Sequence, residues 1–198
     1  NIPTTIEGSL SAILLPYMKR LCVYCGSSEG NDARFADAAR TLAKGMVSRE
    51  VDLVYGGGRA GLMGIVAEEV LQGGGNVFGV IPRHLMTREI AHAGLTELIE
   101  VETMHERKAM MIERADGFLA LPGGLGTLEE ISEVLSWAQM GLHRKPIGLL
   151  NIAGFYDPFV TFFDHLVDSG FVLPGSRELL TVQEDPEKLL ERMMEKTA

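Results

Sequence analysis

The chain is poor in cysteine, poor in aromatic residues and short of positive charge. Only two cysteines occur in 198 residues, and without a second pair of Cys or His at ligand spacing neither a zinc site nor a disulfide framework can be built. Lysine and arginine number 18 against 27 acidic residues, a formal net charge of −9. The broad basic face that nonspecific nucleic-acid binding requires is therefore missing, and an anionic ligand needs locally placed donors. No apolar run approaches the roughly 18 residues of a membrane span. Ala12-Ile13-Leu14-Leu15 is too short for a signal peptide and has no basic residues before it. A cytoplasmic protein that binds neither nucleic acid nor membrane is expected. His84, His92, His105, His143 and His165 are scattered and stand at no ligand spacing with carboxylates, so they read as surface or packing residues and no metal is expected.

What is present is an ordinary globular composition, with 46% hydrophobic and 23% charged residues. The length suits one domain with a full core, over residues 18–198. Residues 1–17 fit no element, the sequence opens on Asn1, and Met18-Lys19-Arg20 before the first strand makes a natural start. Residues 1–17 are read as an N-terminal extension or remnant.

Apolar strand-like runs lie near 20–25, 52–55, 76–81, 97–101, 116–121 and 146–150, with a weaker one at 179–183. Helical patterns fill 32–49, 61–72, 103–115, 127–140, 157–169 and 186–196. Alternation of this kind, with strands apolar throughout, predicts a Rossmann-like α/β domain: a doubly wound parallel sheet with helices on both faces. Ligands of such sheets bind beyond the carboxyl ends of the strands, where the strand order reverses. Cys22 and Cys25 fall in the first strand, and residues three apart on a strand face opposite ways, so they share neither a metal nor a disulfide.

Pro122-Gly123-Gly124-Leu125-Gly126-Thr127-Leu128-Glu129-Glu130 follows one of these strands and opens a helix. Glycines there let backbone N–H groups approach an anion, and the positive end of the helix points at the same place. Thr127 adds a hydroxyl and Glu130 a carboxylate one turn inside. The same residues also read as a capping box, Thr127-x-x-Glu130, in a turn that is merely tight. A second turn, Gly56-Gly57-Gly58-Arg59-Ala60-Gly61, matches G-x-G-x-x-G, but the following strand ends Val80-Ile81-Pro82 with no acid to hold a ribose, which argues against a dinucleotide. In Thr103-Met104-His105-Glu106-Arg107-Lys108, Thr103-x-x-Glu106 caps a helix. Arg107 and Lys108 then fall in its first two turns, where the dipole disfavours cations; they either snorkel to solvent or meet an anion.

These segments resemble the LOG (Lonely Guy) family of cytokinin riboside 5′-monophosphate phosphoribohydrolases, which carries P-G-G-x-G-T-x-x-E and M-H-x-R-K. Pro122–Glu130 and Met104–Lys108 match the two motifs, and Cys25-Gly26-Ser27-Ser28, Tyr55-Gly56-Gly57-Gly58 and Trp137-Ala138-Gln139 look like further family segments. The resemblance runs from about Lys19 to the last helix. Members were formerly labelled lysine decarboxylases, yet no pyridoxal-phosphate site is recognisable.

The resemblance implies hydrolysis of the N-glycosidic bond of N6-substituted adenosine 5′-monophosphates to free base and ribose 5-phosphate, without a cofactor, in a homodimer with its site near the subunit contact. It implies Arg107 and Glu130 as the catalytic pair. It implies Ser27, Gly57, Gly58, Glu89, Lys108, Gly123, Gly124, Gly126, Thr127 and Ser136 as substrate-binding positions, with Ser136 standing where plant members have threonine. Met104, Leu85 and Met86 are candidates for an apolar base pocket. The alternatives are a general AMP or nucleotide nucleosidase and a non-catalytic binder of a phosphorylated ligand, like the molybdenum-cofactor carriers.

Overall fold

The structure, a computed structural model, describes residues 17–86, 92 and 94–197. Of the stretch read as an extension, 1–17, only Tyr17 lies among them. Seven strands form one sheet: β1 (Arg20–Tyr24), β2 (Asp52–Tyr55), β3 (Val77–Pro82), β4 (Glu97–Val101), β5 (Gly117–Ala120), β6 (Ile147–Leu150) and β7 (Leu180–Gln183). Six α-helices join them: α1 (Ala33–Ser48), α2 (Gly61–Gln72), α3 (Met104–Arg114), α4 (Leu125–Gln139), α5 (Asp157–Asp168) and α6 (Pro186–Glu195).

The strand order is β4-β3-β2-β1-β5-β6-β7 and every pairing is parallel. The chain winds outward from β1 to β4, returns, and winds the other way from β5 to β7. The reversal therefore falls between β1 and β5, which fixes where a ligand crevice opens. Apolar residues on both faces of each inner strand make this layering obligatory. Leu21 and Val23 pack under α1, α2 and α6, while Cys22 and Tyr24 pack under α3, α4 and α5. Cys25 packs against the first of these cores and Cys22 belongs to the second, so the two thiols do lie on opposite faces.

The expected helix starts hold where a side chain can cap them. Asp32, Thr103 and Asp185 accept from the first-turn N–H groups of α1, α3 and α6. Glu106 reaches back one residue beyond the cap, accepting from Glu102 N at 2.9 Å. The helix expected from residue 127 is different. α4 begins at Leu125, with extended Gly124 as its cap residue and no side-chain cap bond. Thr127 stands within the first turn, only 3% exposed, so the capping box Thr127-x-x-Glu130 does not form. The glycine pair lets the chain turn into the helix early, before the threonine is reached.

Candidate functional site

Two loops meet at the reversal. Leu121 N donates to Tyr24 O at 2.9 Å and Gly26 N to Pro122 O at 3.1 Å, so the ladder of β1 and β5 continues into the turns that follow them. A methyl group on Gly123 would overlap the Thr127 hydroxyl and stand 2.9 Å from Gly26 N, so only glycine lets these backbones come together. At Gly124 and Gly126 the position is reversed: a Cβ there would meet nothing within 4 Å. Neither residue is in the left-handed region. Fold packing thus accounts for Gly123, whereas Gly124 and Gly126 keep the uncapped N-terminus of a 15-residue helix open to the outside. Ser27, exposed in the β1 loop, shares with Gly123 and Gly124 a cleft of about 240 Å³ walled by Phe35, Leu62 and Phe155.

Arg107 is 7% exposed and turned into the sheet. Its Nε donates to Val80 O and its Nη2 to Gly56 O, both at 3.1 Å, at the carboxyl ends of β3 and β2. A side chain at position 56 would occupy the space of that Nη2. Nη1 lies 3.9 Å from the sulfur of Met104, itself 38% exposed, so a methionine forms the wall beside the guanidinium. Gly57 and Gly58 are buried, and Gly57 packs across Ile81 and Leu98. Leu85 and Met86, half buried, follow β3 in a 3-10 turn. Glu89 lies outside the described residues.

Glu130, half buried on α4, acts on the end of β1. The Cys22 thiol is pushed far up by burial first, then by the negative charge of Glu130, while Arg107 pulls it down. One buried thiol thus senses the acid from α4 and the base from α3, with opposite sign. Burial and Glu130 likewise push Cys25 up. Tyr55 and Tyr156, raised by burial and then by Cys25, are held neutral beneath the turn. Tyr156 Oη donates to Leu121 O at 2.6 Å and props the strand end that carries Pro122. These four thiol and phenol groups are neutral, and the low dielectric around them strengthens electrostatic interactions above.

Lys108 is placed otherwise than its neighbour. Its Nζ lies 2.5 Å from Glu129 Oε1 and 3.0 Å from Glu133 Oε1, and the side chain is 11% exposed. It meets an anion, as the sequence allowed, but the anion belongs to the protein. Ser136 is exposed three turns along α4, about 16 Å from the helix start at the usual rise per residue. There it lines a groove with Leu135, Phe159 and Phe162 rather than the Gly-rich turn. The structure therefore gathers Arg107, Glu130, Ser27, Gly123, Gly124, Gly126 and Thr127 at one sheet end and leaves Ser136 apart. Sequence reading missed Glu129 and Glu133, whose i,i+4 spacing marks a common helix face but not what faces it. It also missed Tyr156, a remote tyrosine with no motif around it. His92 is buried with Nε2 3.2 Å from Glu68 Oε2, a pairing across 24 positions that no local spacing signals.

Comparison with known proteins places the chain among its relatives. A family model described as "Possible lysine decarboxylase" matches residues 63–193. The probable cytokinin riboside 5′-monophosphate phosphoribohydrolase LOGL2 of Oryza sativa subsp. japonica is 47% identical over 97% of this chain and 78% of its own. The cytokinin riboside 5′-monophosphate phosphoribohydrolase LOG2 of Arabidopsis thaliana is 50% identical over 89% of this chain and 83% of its own. Among solved structures, the molybdenum cofactor carrier protein of Chlamydomonas reinhardtii superposes with a TM-score of 0.69 at 20% identity, covering 89% of this chain and 96% of that one. The last likeness is one of fold alone. With relatives near half identity along nearly its whole length, and both motifs intact at one sheet end, the chain belongs to the LOG (Lonely Guy) family.

Proposed function

We propose that the protein hydrolyses the N-glycosidic bond of N6-substituted adenosine 5′-monophosphates, releasing the free base and ribose 5-phosphate. The observation that carries this reading is the uncapped start of α4, where Gly124 and Gly126 leave open space above backbone donors. The 5′-phosphate sits there, held by N–H groups and the helix dipole, with Gly123 and Thr127 shaping the turn. Ser27, Gly57, Gly58 and Glu89 complete the substrate contacts. Bond cleavage at C1′ builds up oxocarbenium character. Glu130 stabilises that charge or activates the attacking water, and Arg107 orients Glu130 and the departing base. Met104 supplies apolar surface for the N6 substituent, with Leu85 and Met86. No cofactor is required for this chemistry.

The active unit is a homodimer, joined through the apolar groove between α4 and α5. Phe162 is 58% exposed there, and Phe159, Leu166 and Val172 line the same groove, an apolar surface that a partner would cover. A partner covering the groove brings Ser136 towards the subunit contact. No helix among the described residues is long and apolar enough to cross a membrane. A cytoplasmic location and a single folded unit from residue 18 fit this assignment.

The test is incubation with N6-isopentenyl-AMP, its free riboside and AMP, following base and ribose 5-phosphate by chromatography beside Glu130→Gln. Release from the monophosphate, much slower release from the riboside and none in the variant are expected. Each charge-assisted phosphate bond is worth about 1.5–3 kcal/mol. Equal rates for riboside and monophosphate would refute the phosphate cradle. Intact nucleotide bound without release would identify a carrier.

A further inference from the structure

α3 and α4 carry two adjacent pairs that are offset by a single residue. Arg107 and Lys108 are consecutive on α3 and so point about 100° apart around the helix. Arg107 turns into the sheet, to Val80 O and Gly56 O, while Lys108 reaches α4. On α4, Glu129 and Glu133 lie one turn apart and face α3, while Glu130 faces the end of β1. Every residue of the expected catalytic pair therefore has a neighbour in the contact that joins the two helices.

We propose that Lys108 is a positioning residue, whose ammonium group clamps Glu129 and Glu133 and so sets α4 against α3, fixing where Glu130 stands. This rests on the phosphoribohydrolase reading above. Two of the three ammonium donors are engaged by carboxylates within hydrogen-bond reach, on a side chain that is nearly covered. Burial works against its charge, and the two carboxylates more than offset this, holding Lys108 above the ordinary lysine range. The clamp also balances charge. Glu129, Glu130 and Glu133 crowd little more than one turn of α4. Among the groups that feel Glu130 are the neutral Cys22, Tyr24 and Cys25 of β1 and its loop, and Cys22 also feels Arg107 of α3. Without the ammonium, three carboxylates repel one another beside the reacting carbon, and the acid that must be ionised becomes easier to protonate.

The test uses the full chain with N6-isopentenyl-AMP and steady-state kinetics across pH. Lys108→Met is expected to lower kcat by about tenfold or more, since small misplacements of a reacting group are costly, with KM nearly unchanged and the acidic limb of the kcat profile moved to higher pH. Lys108→Arg is expected to keep most activity, and adding Glu129→Gln and Glu133→Gln to Lys108→Met to return the acidic limb towards its original place. A rise in KM with kcat and its pH profile unmoved would overturn the proposal and make Lys108 a substrate ligand. Glu133→Gln alone serves if Lys108→Met does not fold: lower kcat with KM nearly unchanged supports the clamp, and an unchanged kcat overturns it. If the wild-type protein releases no base, the functional reading fails instead. The clamp is then read from thermal unfolding of Lys108→Met, Glu133→Gln and the double variant, where non-additive shifts support it and additive shifts overturn it.

Discussion

Substituting Gly56 by alanine isolates what Arg107 does. The new methyl would occupy the place of Arg107 Nη2 and lie 3.0 Å from its Cζ. Gly56 is not in the left-handed region, so alanine brings no backbone strain and the cost falls on the guanidinium. To reach ordinary contact distance the Nη2 nitrogen must retreat by about 1.5 Å or more. That breaks the 3.1 Å bond to Gly56 O and bends the 3.1 Å bond to Val80 O. Hydrogen bonds to a charged group contribute about 1.5–3 kcal/mol each, so with one lost and one weakened about 3 kcal/mol disappears. For a chain of this length that lowers Tm by roughly 6–12 °C. A misplacement of about 1 Å in a reacting group already costs on the order of 100-fold, so kcat/KM is expected to fall at least that far. Scanning calorimetry gives the first quantity, and base release from N6-isopentenyl-AMP, well below the variant's Tm, gives the second. A variant with lowered Tm and unchanged kcat/KM would show that Arg107 only pins β2 to β3. A variant unchanged in both would refute the packing argument itself.

Gly126→Ala is expected to leave Tm within about 1 °C, because its Cβ enters open space, while KM for the monophosphate rises about tenfold through loss of one charge-assisted contact; an unchanged KM would move the phosphate elsewhere. Gly123→Ala, by contrast, collides with Thr127 and Gly26 and should lower Tm as well as activity. Asp185→Ala removes the cap of α6, far from the site, and is expected to cost about 1 kcal/mol with kcat unaltered; a loss of activity would mean that α6 matters to catalysis. Cys22 and Cys25 are pushed far above the ordinary thiol range by burial and by Glu130. Both should therefore resist iodoacetamide at pH 8 in the native protein and react in denaturant, as read by mass spectrometry. Alkylation of the native protein would show that the β1 end is open.

Strand and helix identities were legible in the sequence because each is decided by local periodicity. Leu21 and Val23 against Cys22 and Tyr24 alternate between two buried faces, which only a covered parallel sheet can satisfy. Thr103 could be read as a cap because a cap bond spans two or three residues. The motif turn at 122–130 was legible as a candidate for the same reason. Its meaning was not: cap or cradle depended on where the helix begins, and Gly124, by taking the cap position, put Thr127 inside α4. Lys108 shows the other limit. From sequence it was a cation on the wrong end of a helix; its partners Glu129 and Glu133 stand 21 and 25 positions away. The anchoring of Arg107 to Gly56 O and Val80 O spans 51 and 27 positions. Local chemistry thus determined the elements, the sheet end at which the motif turns meet and the residue types gathered there. Which donor meets which acceptor was decided only by tertiary packing, because those bonds join strands and helices that the chain order keeps apart.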